Sequence, residues 1–159
     1  MNTDEKIKIT ESNLERLLSM IKNVDNKSAL LLGINAAMLG ILVNIISDIE
    51  VFTLYSKLSS CITILLLLAS LFHTIMGSYP LTKSPPNSII SFEGIANLTI
   101  DEYEDKMNNI NPEAYLKDLI SQCHRNAEIN QRKHKNIKLA FIFLSVGVIC
   151  WIISIYLLG

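Results

Sequence analysis

Three uninterrupted apolar runs dominate the pattern of hydrophobic and polar positions along this chain: Ser28–Ile46, Leu58–Tyr79 and Leu139–Leu158. Each is roughly 19–22 residues without Asp, Glu, Lys or Arg, enough at about 1.5 Å per helical residue to cross a hydrocarbon layer about 30 Å thick. A helix buried in a soluble domain rarely stays apolar on all sides for so long. The pattern predicts an all-α membrane protein: three transmembrane helices, with long helices extending from them into the cytosol.

The polar segments have helical signatures of their own. Leu14, Leu17, Leu18, Ile21 and Val24 recur at helical spacing, and Ser12 with Glu15 has the spacing of a capping box. A helix starting near Asn13 and unbroken to Ile46 is expected, a rod about 50 Å long. The second span ends near Tyr79-Pro80, and Ser84-Pro85-Pro86-Asn87 predicts a stiff, non-helical connector. Thr99 and Glu102 form a second capping box that opens a short helix over Ile100–Asn109. Asn111-Pro112 has the form of an N-cap followed by proline in the first helical position. With only Gly147 as a potential breaker up to Leu158, one long helix is expected, its first half, Pro112–Ile137, about 39 Å long. The expected organisation is a pre-membrane amphipathic helix (1–27), a transmembrane hairpin (28–80, spans 28–46 and 58–79), a cytosolic helical region (81–137) and a third span (138–158).

Charge orients this arrangement. Lys6, Lys8, Arg16, Lys22 and Lys27 precede the first span. Lys83, Lys106, Lys117, Arg125, Arg132, Lys133 and Lys135 lie between the second and third, with Lys138 at the edge of the third. The 47–57 turn has Lys57 alone, beside Asp48 and Glu50. Basic residues stay on the cytoplasmic side, so the N-terminus and 81–137 are expected inside a bacterial inner membrane, with the turn and the C-terminus outside. A net charge of −1 gives no sign of a nucleic-acid partner. The first 27 residues mix acids and bases evenly, unlike a cleavable signal peptide.

Candidate chemistry is sparse. Cys61, Cys123 and Cys150 are dispersed, two of them within spans, and suggest neither a disulfide framework nor a zinc site. His124 and His134 stand about 15 Å apart along a helix, too far to share a metal. No nucleophile constellation, phosphate-binding loop or dinucleotide turn is visible, so no enzyme, cofactor or metal is expected.

Leu116, Leu119, Cys123, Asn126, Asn130, Lys133 and Ile137 form a heptad-like seam, a helix–helix contact face with a polar membrane-proximal end. Its asparagines either fix register or line a polar pocket; both readings stay open. Within the membrane, Gly33, Ala37, Gly40 and Asn44 share one face of the first span. Thr63, Ser70, Thr74 and Gly77 align on the second, and Ala140, Gly147 and Ser154 on the third: small, weakly polar faces suited to packing against protein. Asn35 lies opposite the glycines and is expected to need a partner from another chain or a water-filled space. His73 is an ionisable residue within a span, either an anchor or a functional group. Asp25, Lys27, His73 and Lys135 are placed at the membrane interface.

The stretch Asp25-Asn26-Lys27-Ser28-Ala29-Leu30-Leu31-Leu32-Gly33-Ile34-Asn35 opens the first span. Phe92-Glu93-Gly94-Ile95-Ala96 and Leu98-Thr99-Ile100-Asp101-Glu102-Tyr103 follow. Tyr115, Leu119, Gln122, Asn126, Ala127 and Asn130 then lead into Lys133-His134-Lys135 and the last span. In this order and spacing, over residues 12–158, the chain resembles the transmembrane effector family of Pycsar anti-phage systems. The resemblance implies that a partner pyrimidine nucleotide cyclase makes cCMP or cUMP on infection. It further implies that the effector binds the messenger and impairs the inner membrane, giving abortive infection.

Recognition of such a ligand calls for a cation, amide side chains and an aromatic ring. Tyr103, Tyr115, Gln122, Arg125, Asn126, Asn130 and Lys133 supply them, with the ligand expected between helices and across subunits. The competing readings are a constitutive holin-like pore-former that needs no messenger, a membrane scaffold subunit whose 81–137 segment docks a soluble partner, and, most weakly supported, an enzyme acting on lipids.

Overall fold

The computed structural model describes residues 1–47, 53–80 and 88–158. Among the described residues, five helices follow one another: α1 (Thr3–Ser47), α2 (Leu54–Ser78), α3 (Phe92–Ala96), α4 (Ile100–Asn108) and α5 (Pro112–Leu158). α1, α2 and α5 are each long and apolar enough to cross a membrane, which makes this an all-α, multi-pass membrane protein. The turn around Asp48 and Glu50 and the Ser84-Pro85-Pro86-Asn87 connector, with Lys83, lie outside the described residues.

Helix ends follow local chemistry. The expected start near Asn13 is corrected to Thr3. The capping box is made one segment earlier, where Asn2 Oδ1 accepts from Glu5 N–H at 2.8 Å and Glu5 Oε2 accepts from Asn2 N–H at 3.2 Å. Ser12 and Glu15 are exposed interior positions of the helix, with no orphan donors nearby to satisfy. α2 likewise begins at Leu54, because Thr53 Oγ1 accepts from Ser56 N–H and caps the first turn. The Thr99/Glu102 box forms and opens α4. Asn111 accepts from Glu113 N–H through its side chain and from Tyr115 N–H through its carbonyl, directly before Pro112.

The described residues fall into two compact units. One consists of residues 1–23 and 80–131. In it Ile7, Leu14 and Leu17 of α1 are half-buried, and Leu119 and Ile129 of α5 are buried. The Cys123 thiol donates to the Thr10 carbonyl at 3.4 Å, and Asn130 Nδ2 to the Leu17 carbonyl at 3.2 Å. The polar end of the heptad seam therefore docks onto the backbone of α1 within the same chain.

The other unit consists of residues 24–79 and 132–159. Its apolar core is Leu31, Leu67, Ala140 and Leu144, flanked by Met38, Leu39, Ile137, Val148 and Trp151. Close approach of α2 and α5 is set at Gly77, where a Cβ would fall 2.8 Å from Ile137 Cδ1. Asn35 finds partners for its amide N–H within the chain, while its Oδ1 has none among the described residues. It is fully buried, and its Nδ2 donates to the Leu31 carbonyl at 2.8 Å and to Ser70 Oγ at 3.0 Å; Ser70 in turn donates to the Ala140 carbonyl at 2.9 Å. Gly33, Ala37, Gly40 and Asn44 instead form an exposed face.

Candidate functional site

In the unit of residues 1–23 and 80–131, α3 is held by a polar hub that hydropathy could not reveal. Asp118 Oδ2 accepts from Ser88 Oγ at 3.0 Å and from Ile89 N–H at 2.9 Å. Ser88 Oγ also accepts from Gln122 Nε2 at 2.8 Å and from Ser91 N–H at 3.1 Å. Ser91 caps α3 by accepting from Gly94 N–H at 3.0 Å. A Cβ on residue 94 would collide with the Ser88 carbonyl oxygen, so the Phe92-Glu93-Gly94-Ile95-Ala96 motif requires its glycine for space. Local sequence carries one trace of this hub, a serine three residues before a glycine; Asp118 and Ser88 carry none.

Beside this hub lies a cleft of about 540 Å³, lined by Asp4 and Ile7 of α1, Ile89, Ile90, Ile95, Tyr103, Met107, Ile110, Pro112 and Tyr115. Aliphatic walls with two phenol rings suit a flat, weakly polar group. No lysine or arginine is among its described lining residues. The Tyr115 hydroxyl donates to Glu11 Oε1 at 2.8 Å. Burial, then that carboxylate and Asp118, push its pKa up to about 12, so the phenol stays protonated as a donor.

Two of the seven sequence-derived ligand residues, Tyr103 and Tyr115, therefore meet at one cleft. Gln122 is buried in the Ser88 hub, and Asn126 donates to the Gln122 carbonyl at 2.9 Å. Asn130 is buried against α1, and Arg125 is half-buried, with Nη1 3.3 Å from Glu128 Oε2. Cys123, on the same face, has its thiol pKa raised by burial. Lys133 belongs to the other unit, where its buried ammonium donates to Asp25 Oδ1 at 2.5 Å.

The residues placed at the membrane interface are differently disposed. Asp25 is half-exposed and paired with Lys133; Lys27 and Lys135 are exposed. The His73 ring stacks on Phe143 at a centroid distance of 5.6 Å, and its Nδ1 lies 3.3 Å from Asn136 Oδ1. Among the described residues, no group of three His, Cys, Asp or Glu side chains is arranged to hold a metal.

Residues 9–158, nearly the whole chain, match the family model described as the Pycsar effector protein domain. No curated protein and no solved structure shows detectable similarity to it.

Proposed function

The chain belongs to the Pycsar effector family, and on that premise we propose that it senses cCMP or cUMP and answers by impairing the bacterial inner membrane. Infected cells then arrest or die before phage replication is complete. The N-terminus and the 81–137 region face the cytosol, where a partner pyrimidine nucleotide cyclase supplies the messenger. The observation that supports this reading best is the Tyr103–Tyr115 cleft, a preformed site for a flat ring in a chain whose α1 and α5 each also contain a membrane-length apolar segment.

A pyrimidine base stacks in this cleft, and the Tyr115 oxygen, whose proton is held by Glu11, accepts from an N–H of the base. The cyclic phosphate needs a cation, and none is among the described lining residues of the cleft. Arg125 lies ten residues beyond Tyr115, about 15 Å along α5, too far for one mononucleotide to bridge within a chain. We therefore assign Arg125 to the phosphate of a ligand held against a second copy, which makes the sensor oligomeric and lets the ligand change how copies pack. Gln122, Asn126 and Asn130 then hold α5 in place for the site, and Lys133 acts through its ion pair with Asp25.

Calorimetric titration of the full-length protein in detergent with cCMP and cUMP tests the site. Binding of one nucleotide, lost in Tyr103→Ala and Arg125→Ala while helix content is kept, is the expected outcome. Unchanged binding in both variants removes this site, and no binding by the native chain removes the sensing role.

A further inference from the structure

In the unit of residues 24–79 and 132–159, α2 is built with its polar side inward. Leu58, Ile62, Leu65, Leu68, Phe72 and Ile75 are exposed, whereas Ser56, Ser60, Thr63, Leu67, Ser70 and Thr74 are buried at alternating steps of four and three. All but one of those buried positions carry hydroxyls. Ser28 and Asn35 of α1 and Ser154 of α5 are buried with them. Packed transmembrane helices use small residues at contacts, but a run of hydroxyls through the interior, with large apolar groups outside, is also the pattern of a lining.

The polar groups form two shelves. Asn35, Ser70 and the Ala140 carbonyl make one. Thr63, Ser59 and Ser154 make the other, with the Ser154 hydroxyl 2.9 Å from Thr63 and 2.7 Å from Ser59. Thr63 and Ser70 are about 10 Å apart along α2, and Leu67 stands between them in a layer with Leu31, Ala140 and Leu144. Gly147 of α5 packs on that layer, where a Cβ would make ordinary van der Waals contact with Leu67 Cδ2 at 3.4 Å. Asn35 Oδ1, fully buried, has no hydrogen-bond partner among the described residues. An unpaired buried acceptor is costly, and water entering the seam would satisfy it.

We propose that this seam is a gated proton path, a file of hydroxyl and amide groups that carries a water wire once the Leu67 layer is drawn apart. Leu31, Leu67 and Leu144 are its hydrophobic gate, closed by excluding water. Such a wire fits within three helices, which cannot enclose a wide channel. The inference rests on the membrane-impairing role above and gives it a route through each chain instead of between copies.

The test uses the full-length protein in liposomes that contain a pH-sensitive dye, with proton uptake driven by a potassium gradient and valinomycin. Leu67→Ser and, independently, Leu144→Ser are expected to raise proton flux at least tenfold without nucleotide. Adding Asn35→Leu to Leu67→Ser is expected to return it to the native level, with entrapped carboxyfluorescein retained throughout. Tight liposomes with both gate variants, each of native helix content and assembly size, overturn the proposal; so does dye loss in parallel with protons. If cCMP or cUMP drives flux through the native chain while both gate variants stay silent, the effector role stands and this path falls. Conducting gate variants beside a nucleotide-insensitive native chain support the path and remove the sensing role.

Discussion

Lys133 donates to Asp25 across 108 residues of sequence, its side chain 5% exposed and the carboxylate's 44%. The asymmetry decides what each partner contributes. Removing the carboxylate leaves a buried ammonium unpaired, whereas removing the ammonium leaves a carboxylate that water can still reach.

Asp25→Asn is therefore expected to be the more damaging change, destabilising by about 1–3 kcal/mol, discounted from the roughly 3–5 kcal/mol of breaking a fully buried pair because Asp25 is half-exposed. Lys133→Met, which fills the same space without charge, is expected to cost under about 1 kcal/mol. Thermal unfolding of the two variants in detergent measures the difference; equal losses would show that Lys133 is solvated.

The Asn35–Ser70–Ala140 relay joins all three spans. Asn35→Ala should weaken the unit by roughly 0.6–2 kcal/mol, the range for interhelical hydrogen bonds in membranes. Ser70→Ala breaks two links of the same relay, so the double variant should cost less than the sum. Steric-trap unfolding in bicelles reads both quantities, and strict additivity would argue that the two residues act apart.

Glycines on the spans should respond oppositely. Gly33 and Gly40 have no neighbour within 4 Å of an added Cβ, while at Gly77 the Cβ meets Ile137 at 2.8 Å. Gly33→Ala is expected to leave the chain's unfolding temperature unchanged or raised, since alanine favours helix. Gly77→Ala is expected to lower stability by about 1 kcal/mol, the low end of overpacking, because the group in the way is the movable end of the Ile137 side chain. If Gly33→Ala lowers stability only where the protein self-associates, that face contacts another copy.

Tyr115 supplies a pH signature. Its pKa is raised to about 12 in the folded state, from 10.0. The folded chain thus binds that proton more tightly than the unfolded chain. Its contribution to stability is complete below about pH 10 and lost as pH climbs from there through about 12. Absorbance at 295 nm should show one of the five tyrosines titrating last, and Tyr115→Phe should remove that step and flatten the alkaline loss of stability. A native chain whose tyrosines all titrate near pH 10 would contradict the Glu11 contact.

How much of this was legible in the sequence depended on range. The apolar runs of α1, α2 and α5, the Thr99 cap and the Asn111-Pro112 start are local patterns, and sequence periodicity carries them directly. The Ser12/Glu15 signal misled because an equivalent pair, Asn2 and Glu5, stood at the true end of the helix. Asp118 with Ser88 and Lys133 with Asp25 are joined across 30 and 108 residues, and no spacing rule links such partners. The same holds for Asn35, whose opposition to the glycine face was readable but whose partner Ser70 was not. Of the sequence-derived ligand residues, Tyr103 and Tyr115 share a cleft only because α4 and the start of α5 are brought together around Ile110 and Pro112.

Control of the bilayer by a soluble nucleotide is the central claim, and membrane potential tests it most directly. Inside-out inner-membrane vesicles from bacteria expressing the full chain, without the cyclase, are energised by respiration, given cCMP, cUMP or cAMP at their exposed cytoplasmic face, and followed with a voltage-sensitive dye. Depolarisation with one cyclic pyrimidine nucleotide, absent with cAMP and absent in Tyr103→Ala, is the result this account predicts. A correctly inserted protein that leaves the potential unchanged with every nucleotide, or collapses it with none added, would contradict it.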